Sequence, residues 1–363
     1  GLTSYIFDSD AEITYYTSGG LAGQQQALGL GVISWAGNND GLIDMNGHKL
    51  TLVGDGHNSL SNRERPSGIK VASQKLDINN ANGVDILIKN GQYVDGAIHV
   101  IGMPSEGAWY NGNGNAVLNI NNDDDPEHAV KIRFENSQGT KAAVAVDKNS
   151  GTATLNIKGL LDVEADGFTA VKEYYGNVYI GGGSIISNGY ALEARGGSML
   201  VNGELKEDGF VAATSGNRDV TIKGDIHNTI AGSVGVALNT AASSLEGGIY
   251  TDADSRTTLQ VSNGALWTNT LHSGEDWTGS TVYALSGGKN AGSAGIIFQK
   301  DAKDLQIDNY SGNTVLVYEH DQDGNFAAGA THIQHAAEGS AIVLSTDNTG
   351  LDLEDSDAVA KVL

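Results

Sequence analysis

The sequence contains no cysteine and only 3 prolines among its 363 residues. Without cysteine, a small secreted fold that depends on disulfide bonds is excluded. Glycine reaches 50 residues, but the scarcity of proline argues against a flexible linker rich in both residue types. Aromatic residues make up only 6% of the chain, so a core must be built mainly from aliphatic side chains.

Basic residues are also scarce. Lys and Arg number 21 against 44 Asp and Glu, which gives a formal net charge of −23 at pH 7. A field of this sign repels nucleic acid and anionic lipid, so nucleic-acid binding is excluded as a function. No window of about 18 apolar residues is present, so no membrane-spanning helix is predicted. The opening GLTSYIFDSD lacks the features of a signal peptide, which indicates a mature or truncated fragment if the protein is exported.

Short apolar runs, each followed by glycine, recur along the chain. From Gly159 onward the steps between these glycines are 24, 20, 21 and 40 residues, and a period of 20 to 24 residues is typical of a solenoid. The two earlier steps, from Gly47 to Gly91 and from Gly91 to Gly159, fit roughly two and three such units. A second glycine-led run, such as GIKVAS over 68–73, GFTAVKE over 167–173 and GFVAATS over 209–215, recurs in phase. The glycines of the first series are Gly47, Gly91, Gly159, Gly183, Gly203, Gly224 and Gly264.

The runs predict strands rather than helices, because they are four to six residues long, β-branched, and alternate apolar with polar positions, as in VTIK over 220–223. We therefore predict an all-β fold: a right-handed, single-stranded parallel β-helix with three strands per coil and loop insertions. Stacking requires only an inward apolar residue at matching places in each coil. An inward position such as Ile222 should therefore reject Asp, whereas outward positions should accept it.

One continuous domain in three parts is expected. Residues 1–40, which include SGGLAGQQQALGLG, are predicted to be an N-terminal cap and loop insertion, and residues 41–290 the coils. Residues 291–363 are predicted to hold further coils and a hairpin, in which TVLVYEHD and ATHIQHA flank QDGNFAAG. Such a hairpin would cover the unpaired strand edges at the end of a solenoid.

The coils over roughly 40–290 and the tail LQIDNYSGNTVLVYEHD…THIQHAAEGSAIVLSTDNTG resemble the passenger domain of a bacterial type V autotransporter of the classical monomeric kind. The absence of cysteine fits, because such passengers typically avoid disulfides that would jam translocation. The resemblance implies an extracellular protein, displayed on the outer membrane or released after type V secretion. It also implies a signal peptide and a C-terminal β-barrel, neither of which this sequence contains; membrane contact would come only through that barrel.

The resemblance implies an adhesin, the commonest role in a family in which some members are proteases or esterases instead. We expect no enzymatic activity and no cofactor, apart from the calcium candidate described below. Such a virulence-associated protein would bind host or bacterial surface glycans or proteins, or would self-associate in aggregation and biofilm. Neither Gly-Asp-Ser-Gly nor G-x-S-x-G is present, which argues against serine chemistry. Two alternatives stay open: a β-helix polysaccharide hydrolase or lyase, and a structural stalk that binds nothing.

An acidic stretch, NNDDDPEH, is the first candidate site. Polysaccharide-degrading β-helices cluster carboxylates on one outer face, and three consecutive Asp residues would supply them. The stretch is interpreted either as a solvated loop between coils, as a catalytic cluster or as a cation site. The residues concerned are Asp123, Asp124, Asp125, Glu127 and His128, and NRERPSG adds Arg63 and Arg65.

Aromatic side chains in predicted loops are the second set of candidates. Trp109 and Tyr110 lie in EGAWYNGNGN, and Trp267 and Trp277 bracket TNTLHSGED. Aromatic rings are costly to leave in water and often form ligand contacts. The alternative is that the loops fold back and bury the rings.

A calcium loop is the third candidate. Asp321, Asp323 and Asn325 have the alternating spacing that lets side chains converge on a hard cation. The glycine falls one place early for an EF-hand and the twelfth position is His332, so an Asp-Gly hairpin turn is the simpler interpretation. His332 and His335 are predicted on one strand, where a spacing of three points them to opposite faces and argues against zinc.

Overall fold

The computed structural model describes residues 2–16, 31–36, 38–56, 66–91, 94–102, 114–138, 141–301, 304–318, 322–326 and 329–345. Within these ranges the regular elements are strands and two 3-10 helices, Pro126–His128 and Ala291–Ser293. No helix there has both the length and the apolar character needed to cross a membrane. The chain divides into two compact units, residues 1–187 and 188–363.

The first unit is a stack of coils with three strands each. Its strands are β1 (Leu2–Ile6), β2 (Ala11–Tyr16), β3 (Gly31–Trp35), β4 (Asp40–Asp44), β5 (Leu50–Asp55), β6 (Ser67–Val71), β7 (Gln74–Asn79), β8 (Val84–Lys89), β9 (Ile98–Gly102), β10 (Ala116–Asn121), β11 (Val130–Glu135), β12 (Ala142–Lys148), β13 (Ala153–Ala165), β14 (Thr169–Tyr174) and β15 (Asn177–Arg195). The residues of β15 after Ser187 belong to the second unit.

These strands form three faces. One face consists of β1, β4, β7, β10 and the first parts of β13 and β15. A second consists of β2, β5, β8, β11 and the later parts of β13 and β15, and the third consists of β3, β6, β9, β12 and β14. Each strand pairs in parallel with the next strand of its face, which confirms the predicted parallel β-helix.

Inward aliphatic side chains form columns through the stacked coils. Leu76, Leu118 and Leu155 occupy one register position in successive coils, and all three are fully buried. Because each inward residue contacts its equivalents in the coils above and below, the core of the first unit is built from continuous aliphatic columns. This confirms the predicted inward and outward alternation.

Residues 1–40 do not form the predicted cap where they are described. β1, β2 and β3 pair in parallel with β4, β5 and β6, so they are already a complete coil. The prediction was wrong because LTSYI and AEITYY form strands without the glycine that marks the later coils. Residues 17–30, which hold most of SGGLAGQQQALGLG, lie outside the described residues.

Coil length in the first unit departs from the period that the glycines predict. Asp77 and Asn119 stack in successive coils although 42 residues separate them in sequence, and Asn156 stacks on Asn119 after a further 37 residues. Only the next coil, which pairs β13 with β15, has the predicted length. Insertions between faces lengthen a coil without altering how its strands stack. The step from Gly47 to Gly91 therefore does not count two units, since these glycines follow strands of different faces, β4 and β8.

The second unit contains the shorter coils that the glycine spacing predicts. Ile222, Leu245 and Trp267 stack in one column, and both steps between them fall within the predicted period. Its strands are β16 (Ser198–Val201), β17 (Gly203–Leu205), β18 (Val211–Ala213), β19 (Val220–Thr229), β20 (Ser233–Leu238), β21 (Ser244–Glu246), β22 (Ile249–Thr251), β23 (Arg256–Val261), β24 (Leu266–Asn269), β25 (Gly279–Ser286), β26 (Gly295–Gln299), β27 (Asp304–Ser311), β28 (Asn313–Tyr318), β29 (Thr331–Ala336) and β30 (Ala341–Leu344).

Three sets of parallel strands form the second unit. One face is formed by the first part of β19 with β21, β24, β26, β28 and β30. Strands β16, β20 and β23 pair on another, and β25, β27 and β29 pair with one another.

Two hairpin predictions need correction. GFVAATS over 209–215 was predicted as a coil strand, but β17 and β18 form an antiparallel hairpin, and Ala213 N donates to the Gln260 side chain at 2.9 Å. Conversely, the hairpin predicted within 291–363 is absent from the described residues, because β28 pairs in parallel with β26 and β30, and β29 with β27. The turn at 322–326 therefore leads from one face to the next instead of reversing the chain.

Candidate functional site

The acidic stretch after β10 is a turn that satisfies its own polar groups. Asp123, Asp124 and Asp125 are exposed. The Asp123 carboxylate lies 2.9 Å from His128 Nδ1, and this hydrogen bond lowers the pKa of Asp123 and raises the pKa of His128. Asp125 Oδ1 accepts from Glu127 N at 3.0 Å and caps the 3-10 helix. These contacts are those of a solvated turn, and the catalytic and cation interpretations of the stretch stay predictions.

Metal ligation has no geometric support in the part of the chain that the structure describes, where no three His, Asp or Glu side chains converge as ligands. Asp323 and Asn325 lie exposed in the turn at 322–326, and their calcium role stays a prediction. His332 and His335 lie exposed on β29, which confirms the predicted strand. Trp109, Tyr110, Arg63, Arg65 and Asp321 lie outside the described residues.

The sequence analysis placed Trp267 in a loop, and this prediction was wrong. It is part of β24, its side chain is fully buried, and its Nε1 donates to Gly247 O at 2.9 Å. The prediction failed because Trp267 occupies the inward register position of Leu245 and Ile297. A ring with its one polar atom bonded inside the core has no surface to offer a ligand.

Trp277 belongs to an aromatic cluster that the sequence analysis missed. The rings of Tyr190, His227 and Tyr250 stack in a column on the outside of the second unit, with centroid separations of 4.7 and 5.0 Å. Trp277 lies beside this column, between 5.7 and 6.5 Å from the centroids of all three rings, and is only 5% exposed. We call these four residues the aromatic column. The loop that carries Trp277, residues 270–278, packs against the stacked rings and leaves Tyr250 37% exposed.

Two carboxylates fix this loop to the coils. Asp225, which is fully buried, accepts from the backbone amides of Gly248 at 2.9 Å and of His272 and Ser273 at 3.0 and 2.6 Å. At the exposed end, Glu275 accepts a hydrogen bond from the Tyr190 hydroxyl. Burial, followed by this bond to Glu275, raises the pKa of Tyr190.

The centre of the aromatic column favours a neutral imidazole. His227 Nδ1 is buried and has no hydrogen-bond partner among the described residues. Burial lowers the pKa of His227, and the negative charges of Glu193, Glu275 and Asp252 oppose this effect while Arg195 adds to it. The site thus combines aromatic rings with acidic side chains from several coils.

Outward polar side chains of the first unit form hydrogen-bonded ladders. Asn119 Nδ2 donates to Asp77 Oδ1 at 2.7 Å, and Asn156 Nδ2 donates to Asn119 Oδ1 at 2.8 Å. These residues share one register position in successive coils, so they present a row of polar groups with a spacing of about 4.8 Å. A second ladder of the same kind consists of Asp55, Asn90 and Asn136.

No protein-family model, curated protein or solved structure matches this chain. One local signal could have located part of the aromatic column. The sequences Gly-Asp-Ile-His over 224–227 and Gly-Gly-Ile-Tyr over 247–250 share a pattern one coil apart, so aligning their glycines places His227 beside Tyr250. Tyr190 follows Gly189 without the isoleucine and carries no equivalent signal.

Proposed function

We propose that this chain is a bacterial surface adhesin, which binds host or bacterial surface glycans or proteins, or associates with copies of itself. The single observation that carries the proposal is the Asp77–Asn119–Asn156 ladder, one polar row that crosses successive coils of a parallel β-helix. Such a row places a carboxylate and two amide groups at fixed spacing, which suits an extended or repetitive partner. Extracellular display and a passenger-like origin belong to the same proposal.

Display on a non-aggregating bacterium tests the proposal. Cells that display the chain should settle or attach to host cells faster than cells without it. The matched variants are Ile222→Asp, which introduces a charge into the core, and Thr221→Asp, which places the same charge on the outward side of the same strand. We expect Ile222→Asp to abolish the effect and Thr221→Asp to keep it. Equal settling and attachment with and without the chain would overturn the proposal.

A second candidate function, a polysaccharide hydrolase or lyase, is favoured by one observation. The carboxylates of Glu193, Asp252 and Glu275 come from different coils and act on His227 within the aromatic column. Purified protein incubated with acidic polysaccharides would release reducing ends or unsaturated products, and Glu275→Gln should abolish the release. Activity lost instead in Asp124→Ala would place the chemistry at the acidic turn. No product from any substrate would remove this candidate.

A further inference from the structure

The corner that follows β14 presents two neighbouring tyrosine rings to solvent. Tyr174 and Tyr175 are 41% and 43% exposed, and their rings meet edge to face with centroids 4.8 Å apart. A ligand that covers an exposed aromatic ring removes apolar surface from water, which favours binding. In a chain with few aromatic residues, two adjacent exposed rings are a distinct surface feature.

The backbone at this corner is strained. Tyr175 has a φ of 50°, in the left-handed region that bulky residues avoid. Asparagine relieves such strain through local hydrogen bonds, a contribution that a tyrosine side chain lacks. Strain of this kind persists where the surrounding structure imposes it, and it concentrates at functional sites. Among the described non-glycine residues, six of the other nine with positive φ are asparagines: Asn46, Asn80, Asn90, Asn136, Asn202 and Asn263; the remaining three are Gln74, Ile230 and Ala231.

A buried carboxylate holds the corner in place. Glu173 is fully buried, and its Oε2 accepts from Gly176 N at 3.0 Å, so the residues on both sides of the two tyrosines are tied together. The rings are therefore presented by a fixed turn. A preorganised surface loses less conformational entropy when a ligand binds.

We propose that the corner formed by Tyr174 and Tyr175 is a carbohydrate site that takes a pyranose ring of a surface polysaccharide. The inference rests on the proposed adhesin function and names its ligand class. The two exposed rings offer far less than the roughly 800 Å² per partner of a stable protein interface, but they match the apolar face of a sugar. Lys148 follows Asp147, the register partner of Tyr174, and Asn177 lies two residues after Tyr175. Both side chains are exposed and could bond the hydroxyls of a sugar.

Affinity electrophoresis of the whole chain in gels containing mannan, β-glucan, hyaluronan or polygalacturonate tests the site. At least one polysaccharide should retard the chain. Tyr175→Asn introduces the residue found at six other positions of positive φ, so it should raise the melting temperature while weakening retardation at least tenfold. Tyr5→Ala, which removes a tyrosine that is 56% exposed elsewhere, should leave retardation unchanged. Equal retardation of Tyr175→Asn and the parent chain would overturn the site.

Displayed cells separate this inference from the adhesin proposal. Attachment to target cells should fall with Tyr175→Asn and after periodate oxidation of the target glycans. Attachment by the parent chain that Tyr175→Asn leaves intact would overturn the carbohydrate site and keep the adhesin. Attachment that needs Tyr175 but survives periodate would overturn the sugar in favour of a protein ligand. Failure of the parent chain to attach would overturn the adhesin itself.

Discussion

The carboxylate of Asp225 accepts a hydrogen bond from the backbone amide of Ser273 at 2.6 Å, although 48 residues separate the two in sequence. The same side chain also accepts from Gly248 and His272. A fully buried carboxylate requires several donors to offset its lost hydration. One acidic residue thus fixes both the start of β22 and the loop that carries Trp277.

Removal of this carboxylate should release the loop. Asp225→Ala leaves backbone amides without acceptors, and we expect it to lower the free energy of unfolding by roughly 3 kcal/mol. Trp277 would move into water, so its fluorescence emission should shift to longer wavelength. Glu207→Ala, at an exposed position of the β17–β18 hairpin, should change neither property. A Trp277 emission that stays at the parent wavelength in Asp225→Ala would contradict this role.

The pH dependence of stability should contain a contribution from His227. Its folded pKa lies below the usual value of 6.5 because burial disfavours the imidazolium. A histidine with a lowered folded pKa stabilises fully above about 6.5, and this contribution is lost as pH falls from there towards the folded pKa. His227→Phe keeps a ring between Tyr190 and Tyr250 and should flatten the dependence of melting temperature on pH in that range. Parallel curves for the two proteins would refute the assignment.

The contribution of His128 to stability should have the opposite pH dependence. Its hydrogen bond with Asp123 raises its pKa above 6.5, so the contribution of His128 is lost as pH rises through the folded pKa. The pair stabilises most below about 6.5 as long as Asp123, whose pKa is lowered, stays ionised. Nuclear magnetic resonance titration should give His128 a higher midpoint than His227. Asp123→Asn should lower the His128 midpoint, whereas Asp124→Asn should lower it less. A midpoint insensitive to Asp123→Asn would exclude the contact in solution.

The ladder of Asp77 and Asn119 permits a swap experiment. Asn119→Asp places two carboxylates at adjacent register positions, which should destabilise the chain by about 1 kcal/mol or more. Adding Asp77→Asn exchanges the carboxylate and the amide between the two positions and should recover most of the loss. Denaturant unfolding of both single variants and the double variant gives the coupling energy. Additive effects would mean that the 2.7 Å contact contributes nothing to stability.

Inward and outward positions of one strand should respond differently to truncation. Ile222 is fully buried and stacks on Leu245, so Ile222→Ala should lower the free energy of unfolding by about 2–5 kcal/mol. Its neighbour Thr221 points outward, and Thr221→Ala should change it by less than about 0.5 kcal/mol. Similar losses in both variants, measured by denaturant unfolding, would reverse the assigned faces.

The fold could be predicted because its main determinant is local. Alternation in runs such as LNIK over 155–158 and VTIK over 220–223 marks strand and inward face together, and the coordinates confirm both. Coil length could not be read in the same way. A glycine after a run signals that a strand ends, as at Gly47 and Gly91, but not which face the strand belongs to.

Most residues of the candidate site could not be predicted to lie together from the sequence. Trp267 and Trp277 lie close together in sequence and in similar surroundings, yet one is a core residue and the other covers an outer face. Their difference comes from register with the neighbouring coils, which no local pattern contains. Tyr190, His227 and Tyr250 come together for the same reason.

The unequal coils have a mechanical consequence. When force is applied to a stack of this kind, its coils unfold one at a time, since each coil is bonded only to its neighbours. The turn from Asp77 to Asn119 stores 42 residues, or about 14 nm of extended chain. The turn from Val220 to Ser243 stores 23 residues, or about 8 nm. Under tension, a longer coil would therefore release more extended chain when it unfolds than a shorter one.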